Sequence, residues 1–277
     1  YWHECIDCGH FFLDPFPSVD ALSVIYPKNI GNYEQWDKKP GLGFRVKRFL
    51  DKRSLRKILK FLPEGKAVLD VGCASGGFLD IVKSEKKNID TLDGVEISND
   101  AAKGAVEKGY KVFIGPVEEI NFQDNKYDLI YLQQVIEHVH DPNKVLSKLS
   151  SILNKNGLIV LETPALHSWD HKFFFRRHWE GYHFPRHFNI WTEDGMKKIL
   201  IANGLELIEK KYRIKPVHWT ISFQNWIIDN KSFLWLKNSL NVNHKFPIFL
   251  MMFGLIDVLQ LLITKKTSDI QYIARKN

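Results

Sequence analysis

Three groups of side chains in this 277-residue sequence have the types and spacing to do chemistry. The first is Val68-Leu69-Asp70-Val71-Gly72-Cys73-Ala74-Ser75-Gly76-Gly77, an apolar run with an acid near its end and a turn of small residues behind it. Small residues let backbone amides approach a ligand closely, and a helix starting there adds partial positive charge, so the turn can cradle a nucleotide-like ligand. Nineteen residues past Gly77, Glu96 closes the next apolar run, where a carboxylate can accept hydrogen bonds from both hydroxyls of a ribose. The second group is His178-Trp179-Glu180-Gly181-Tyr182-His183-Phe184-Pro185-Arg186-His187-Phe188, rich in the side chain that exchanges protons near neutral pH. Cys5-x-x-Cys8-Gly9-His10 is the third, with the knuckle spacing of a zinc site but only two thiolates.

Two cofactor classes fit the first group. Read as Gly72-x-Ala74-x-x-Gly77, the turn is a degenerate dinucleotide fingerprint, which leaves an NAD-dependent oxidoreductase open. Asp70 favours S-adenosylmethionine, because an acid beside the cradle repels a pyrophosphate and attracts the cationic amino group of a methionine moiety. A tight turn with no ligand is the bland alternative.

The elements that must position these residues are legible as alternating runs. Segment 1–43, with Pro15, Pro17, Pro27, Gly31, Pro40, Gly41 and Gly43, reads as an irregular N-terminal arm appended to a main domain over 44–277. Apolar positions from Phe44 to Leu62 follow helical spacing opposite a basic face. Beyond it, strand-like runs at 67–71, 91–96, 110–114, 127–132 and 158–162 alternate with helical ones at 78–83, 100–108 and 143–153, which predicts an α/β fold, doubly wound around a mostly parallel sheet. A helix capped by Thr192 and stopped at Gly204 leads to a strand at 206–212, and 270–274 is strand-like again. The intervening 214–267 reads as a helical insertion before the last strand.

At these residues the sequence resembles the class I S-adenosylmethionine-dependent methyltransferases. The resemblance rests on the Val68–Gly76 block, Gly94-Val95-Glu96-Ile97-Ser98, Tyr127-Asp128-Leu129-Ile130, Val135-Ile136-Glu137-His138-Val139-His140-Asp141-Pro142 and Asn156-Gly157-Leu158-Ile159-Val160, in order over about a hundred residues. It implies a seven-stranded sheet whose last strand runs antiparallel between its neighbours. It also implies that Asp70, the Gly72-Cys73-Ala74-Ser75-Gly76 turn and Glu96 with Ile97 line S-adenosylmethionine. By the same resemblance Val117 and Glu118 edge the adenine, and Gln133 stands near the reactive methyl. Ala74 replaces the family's usual second glycine, and Pro116 stands where many members place an acid. The Cys-x-x-Cys-Gly arm and the Pro-x-His block resemble a bacterial subfamily whose members often carry an earlier Cys-x-x-Cys. With Tyr1 as its first residue, the sequence is expected to have lost an upstream segment.

Methyl transfer needs an oriented acceptor and, for a hydroxyl, a proton acceptor. His187, His183 and His138 are the candidates, His187 foremost. Ubiquinone-type O-methyltransferases carry a related acid-x-x-acid-His block that can hold a divalent cation. Here Gln134 fills the first position, and metal-dependent chemistry is therefore not expected. The absence of an Asn-Pro-Pro-Tyr-type block argues against nucleic acid despite a net charge of +7. The expected acceptor is a small molecule, a glycan or a lipid-linked intermediate; an inactive methyltransferase-fold binding module is the rival from outside the enzymes. Cys5 and Cys8 read as half a zinc ribbon or as two free thiols. Sparse cysteines point to the cytoplasm. In the run 246–263, fourteen of eighteen residues are apolar, while Gly254, Asp257, Gln260 and Thr264 share one helical face. That pattern suits a helix lying in a membrane interface or packed on the core, and the basic helix and Lys172-Phe173-Phe174-Phe175-Arg176-Arg177 favour an anionic inner membrane face.

Overall fold

Residues 1–17, 42–62, 65–86, 88–174, 177–231, 235 and 248–277 are described by a computed structural model, with side chains of the first helix from Arg48 onward. The strands are β1 (Trp2–Glu4), β2 (Phe11–Leu13), β3 (Ala67–Val71), β4 (Thr91–Glu96), β5 (Lys111–Ile114), β6 (Tyr127–Gln133), β7 (Leu153–Pro164), β8 (Asn189–Ile190), β9 (Leu205–Arg213) and β10 (Asp269–Lys276). The helices are α1 (Leu42–Ile58), α2 (Gly77–Glu85), α3 (Asn99–Glu107), α4 (Pro142–Ile152), α5 (Trp169–Phe173), α6 (Glu193–Ala202), α7 (Val217–Asn230) and α8 (Ile248–Thr264).

Seven strands form one sheet in the order β5-β4-β3-β6-β7-β10-β9, with β10 antiparallel to both neighbours, as expected from the resemblance. Side chains alternate across a strand, so each strand feeds two cores. Val68, Leu129, Tyr131, Leu158 and Val160 face one side, where Leu55 and Ile58 of α1 and Ile81 and Val82 of α2 cover them. Leu69, Val71, Ile130, Leu132, Ile159 and Leu161 face the other, under Val145, Leu146 and Leu149 of α4 and Met196 and Leu200 of α6. Each such side chain contributes about 1.5–3 kcal/mol by leaving water, which holds the strand ends in fixed register. The predicted caps are in place: Thr192 Oγ1 accepts from Gly195 N at 3.0 Å, and Gly204 takes φ +72° to end α6.

One feature differs from the sequence reading, and a second selects among the arrangements that reading allowed. Residues 1–17 are not an irregular appendage: β1 and β2 form a hairpin around the Cys-x-x-Cys-Gly turn, and β2 pairs with β8 in a second, three-stranded sheet. Strands of two or three residues are too short to show a period, and the pairing that stabilises them lies 179 positions away. Positions 18–41, which hold most of the turn formers, lie outside the described residues. The second feature is α8. Its buried residues are Phe253, Asp257 and Gln260, while Ile248, Met251, Leu255, Leu259, Leu262 and Ile263 stand outward, Leu255 73% exposed. Asp257 accepts from Lys215 N at 2.9 Å and Trp219 Nε1 at 3.0 Å, and Phe253 stacks on Trp219 at 5.7 Å between ring centroids, so the side packed on the protein joins the polar stripe to one aromatic anchor. Among the described residues no helix is long and apolar enough to cross a membrane.

Candidate active site

The turn after β3 is pinned to the next strand by its own backbone. Gly72 N and Cys73 N both donate to Val95 O, at 2.8 and 3.0 Å. Gly72 (φ +77°), Ala74 (φ +43°) and Gly76 (φ +81°) all take left-handed conformations, so the missing second glycine is replaced by a residue that adopts the same backbone at a cost of about 1–2 kcal/mol. Gly94 is required for a different reason: a Cβ there would lie 2.4 Å from Cys73 Sγ, so its absence lets the turn settle on β4. Glu96 gathers three backbone amides, Ala74 N at 3.1 Å, Ile97 N at 2.8 Å and Ser98 N at 3.1 Å. Asp70 is 4% exposed, and burial, followed by the nearby Glu96 charge, pushes its carboxyl well above the ordinary range. Ile97 is exposed at the rim and Glu118 is half-buried, whereas the Val117 side chain is turned into the main core, which leaves its backbone as the part able to meet a ligand.

Next to this cradle, the loop after β6 makes direct contact with it: a Cβ on Gly72 would meet Val135 Cγ2 at 2.6 Å. Two residues on, Glu137 begins the histidine cluster. Phe188 N donates to Glu137 O at 2.7 Å and Asn189 Nδ2 to Val139 O at 2.7 Å, which stitches the 181–189 segment onto this loop. As a result His138, His183 and His187, distant in sequence, come together: ring centroids are 4.5 Å apart for His138 and His187, 5.0 Å for His183 and His187 and 6.4 Å for His138 and His183. His187 is only 3% exposed, and burial keeps its imidazole neutral by lowering its pKa well below the ordinary value. His138 is lowered to about 4 for the same reason, and His183 alone of the three is exposed.

Beneath the cluster runs a buried ionic network that the sequence did not announce. Glu162, 2% exposed at the end of β7, accepts from Gln133 Nε2 at 3.0 Å and pairs with Lys215 Nζ at 3.3 Å and Arg213 Nε at 3.6 Å. Burial alone would raise its pKa, but the Lys215 and Arg213 cations hold it below the usual carboxylate range. Lys215 also meets Asp269 Oδ1 at 3.4 Å. His218 bonds Glu180 through Nδ1, and its Nε2 lies 3.7 Å from Asp269 Oδ1; against the opposing effect of burial, the Glu180 and Asp269 carboxylates push it up to about 10, so it is an imidazolium. Gln133, expected near the reactive methyl, is thereby anchored in this network, and Gln134 donates to Asp269 Oδ1 at 2.9 Å. Lys215, His218 and Asp269 carry no local motif; charged residues flanking the ends of β9 and β10 were the available signal.

Residues 45–210, more than half of the chain, match the methyltransferase-domain family. The chain belongs to that family. Over 104 residues this methyltransferase is 31% identical to the ubiquinone biosynthesis O-methyltransferase of Bordetella avium, covering 36% of this chain and 43% of the relative. Over 108 residues it is 34% identical to the tRNA U34 carboxymethyltransferase of Nautilia profundicola, covering 36% and 35%. The chain thus spans less than half the length of these relatives. A crystal structure of an S-adenosylmethionine-dependent methyltransferase from Archaeoglobus fulgidus shares the fold, with a TM-score of 0.51 and 22% identity over 83% of this chain and 94% of that one. Family and fold imply S-adenosylmethionine as the methyl donor, and the residues present fit it: the paired acids Asp70 and Glu96 suit a ligand carrying a sulfonium and an ammonium and oppose a pyrophosphate.

At the opposite end of the second sheet, Cys5 and Cys8 sit in the β1–β2 turn, where the backbone amides of Asp7 and Cys8 lower the Cys5 thiol pKa. His10 Nε2 is directed to Asn189 Oδ1 at 3.1 Å. Among the described residues no third ligand atom joins the two sulfurs.

Proposed function

We propose that this methyltransferase transfers the methyl group of S-adenosylmethionine to a hydroxyl of a small-molecule, glycan or lipid-linked acceptor. The observation that carries the reading is the meeting of the three histidines on the loop whose Val135 packs against Gly72 of the cradle. In the transfer an acceptor oxygen forms the new O–CH3 bond as the S–CH3 bond breaks, which releases S-adenosylhomocysteine. The hydroxyl proton passes to the exposed, neutral His183, with His187 and His138 packed behind it. Asp70 and Glu96 hold the amino and ribose groups of the donor, and the turn Gly72 to Gly76 supplies close backbone. The likeness to a ubiquinone biosynthesis O-methyltransferase supports an oxygen acceptor. The outward apolar face of α8 supports a lipid-linked one, met at the cytoplasmic face of a membrane.

Isothermal titration should show binding of S-adenosylhomocysteine and none of NADH. Given S-adenosylmethionine labelled on the methyl, the protein should transfer label into the lipid-extractable fraction of a cell extract. His183→Gln should lower that rate about 100-fold or more without changing S-adenosylhomocysteine affinity. Full turnover in this variant would remove His183 as the proton acceptor, and label that never leaves the donor would remove the transferase reading.

A further inference from the structure

We infer that Glu180 is the positioning residue of the histidine cluster: tied to α7 at both its ends, it supplies the counter-ion for the imidazolium formed when His183 takes the acceptor's proton, an inference that rests on the oxygen-acceptor reading above. Glu180 opens the short turn Glu180–Tyr182, which His183 closes by donating its N–H to Glu180 O at 2.9 Å. The Glu180 backbone N donates to Ser222 Oγ at 2.8 Å, and its carboxylate takes the Nδ1 proton of His218. His218 and Ser222 stand four residues apart on α7 and so share one face, from which they fix the Glu180 main chain and side chain together. Ser222 is fully buried and the Glu180 side chain is 12% exposed.

The row of charges continues inward. His218 Nε2 lies 3.7 Å from Asp269 Oδ1, which Lys215 and Gln134 hold from other directions. Lys215, Asp269, His218 and Glu180 alternate in sign, and the anionic end of the row is the turn that carries His183. Burial alone would raise the Glu180 pKa, but the His218 imidazolium holds it below the usual carboxylate range, so Glu180 is charged before any acceptor arrives.

His183 is itself set by this turn. Its φ of +32° is a left-handed conformation that a side chain takes at a cost, and the bonds His183 N to Glu180 O and Arg186 N to His183 O, at 2.9 and 2.8 Å, hold it there. The neutral rings of His187 and His138 stand 5.0 and 6.4 Å from its own. The protein around the ring takes away water and lowers the His183 pKa; Glu180 opposes that, while Arg186 and His218 add to it. In the transfer the acceptor's O–H bond breaks as an N–H bond forms on His183, and an O–CH3 bond replaces S–CH3. The positive charge that leaves the sulfur therefore reappears on His183, which later gives its proton to water. A carboxylate already fixed and ionised meets that charge without reorganising.

The test is NMR titration of the full chain carrying 15N-labelled histidine, beside the pH profile of methyl transfer to a lipid extract at saturating S-adenosylmethionine. In the wild type His218 should keep its charge up to about pH 10. Glu180→Gln removes the anion, so the His183 pKa should fall by about 0.5–1 unit, and the acid limb of the rate profile should move to lower pH by the same amount. The plateau rate should drop about 3–10-fold as the base weakens, with S-adenosylhomocysteine affinity, which reports the fold, unchanged. Ser222→Ala loosens the same turn but keeps the charge, and should leave the His183 titration where it is. A wild-type His218 that titrates near its ordinary value would overturn the inference without any variant. So would a His183 pKa unmoved by Glu180→Gln, or moved equally by Ser222→Ala. A shifted pKa with an unshifted rate profile would overturn the part of Glu180 in transfer. Failure of the reading above has its own signature, full turnover in His183→Gln.

Discussion

The two halves of this molecule solve the problem of holding charge in different ways. Between β3 and β5 the cofactor half uses backbone: tight turns, three amides on Glu96 and two acids beside a ligand that brings its own positive charge. From β7 to β10 the acceptor half uses side chains, with Glu162, Asp269 and Glu180 neutralised by Lys215, Arg213 and His218 inside the protein. The difference teaches that the first half is unbalanced until its ligand arrives, whereas the second is balanced without one. Removing one member should therefore cost binding in the first and folding in the second.

The largest effect is expected at Lys215. Lys215→Met removes the one cation shared by Glu162 and Asp269, leaving the first with Arg213 and the second with His218, and should lower the unfolding free energy by about 3–5 kcal/mol in a denaturant titration. The half-exposed pair Lys108–Asp80 of the cofactor half, 2.9 Å apart, is the control: Lys108→Met should cost less than about 1 kcal/mol. Equal costs would erase the contrast.

Next is Glu96→Ala, which should weaken S-adenosylmethionine binding about 10–1000-fold through loss of charge-assisted hydrogen bonds to the ribose. Calorimetry with an unchanged dissociation constant would show that the carboxylate serves only the turn.

Asp257 gives a pH dependence to the acceptor half. Burial pushes its carboxyl up to about 6, above the roughly 3.9 of an unfolded chain, so the protonated form favours the folded state. Its contribution is fully present below about pH 4 and is lost as pH rises through about 6, to the extent of about 3 kcal/mol. Relative to Asp257→Asn, the wild type should therefore lose stability between pH 4 and 7; a constant difference across that window would mean the donors Lys215 N and Trp219 Nε1 outweigh burial.

The smallest effect on the fold is expected for Leu255, Leu259 and Leu262 changed together to serine, within about 0.5 kcal/mol per site because all three are exposed. The wild type is expected to co-sediment with anionic vesicles and to be partly released by salt, and the triple variant should lose this binding. A wild type indifferent to vesicles would end the membrane contact.

The cofactor half was legible in the sequence because its signals are local: an acid at a strand end, small residues in a turn, a second acid at the next strand end. Even there, the left-handed Ala74 follows the family pattern rather than any propensity, and Gly94 showed its purpose only once Cys73 was seen to occupy the space. The acceptor half was legible as a set of residue types but not as a geometry. His138 and His187 were singled out separately, and nothing in either stretch says that they face each other or share Glu137. The helix 248–264 displayed its polar stripe in the sequence, yet which side packs inward depends on Lys215 and Trp219, some forty residues earlier.

The pairing of β2 with β8 has a consequence for the order of assembly. Phe11 and Ile190 are 179 positions apart, and the strand they complete begins two residues after His187. Closing so long a loop before any local contact rewards it is slow, so the central sheet should form ahead of this pairing. An amide-exchange experiment during refolding should find the β3, β4 and β6 amides protected while those of 2–13 and 189–190 still exchange. The cradle would thus exist before the surface proposed to meet an acceptor has taken shape.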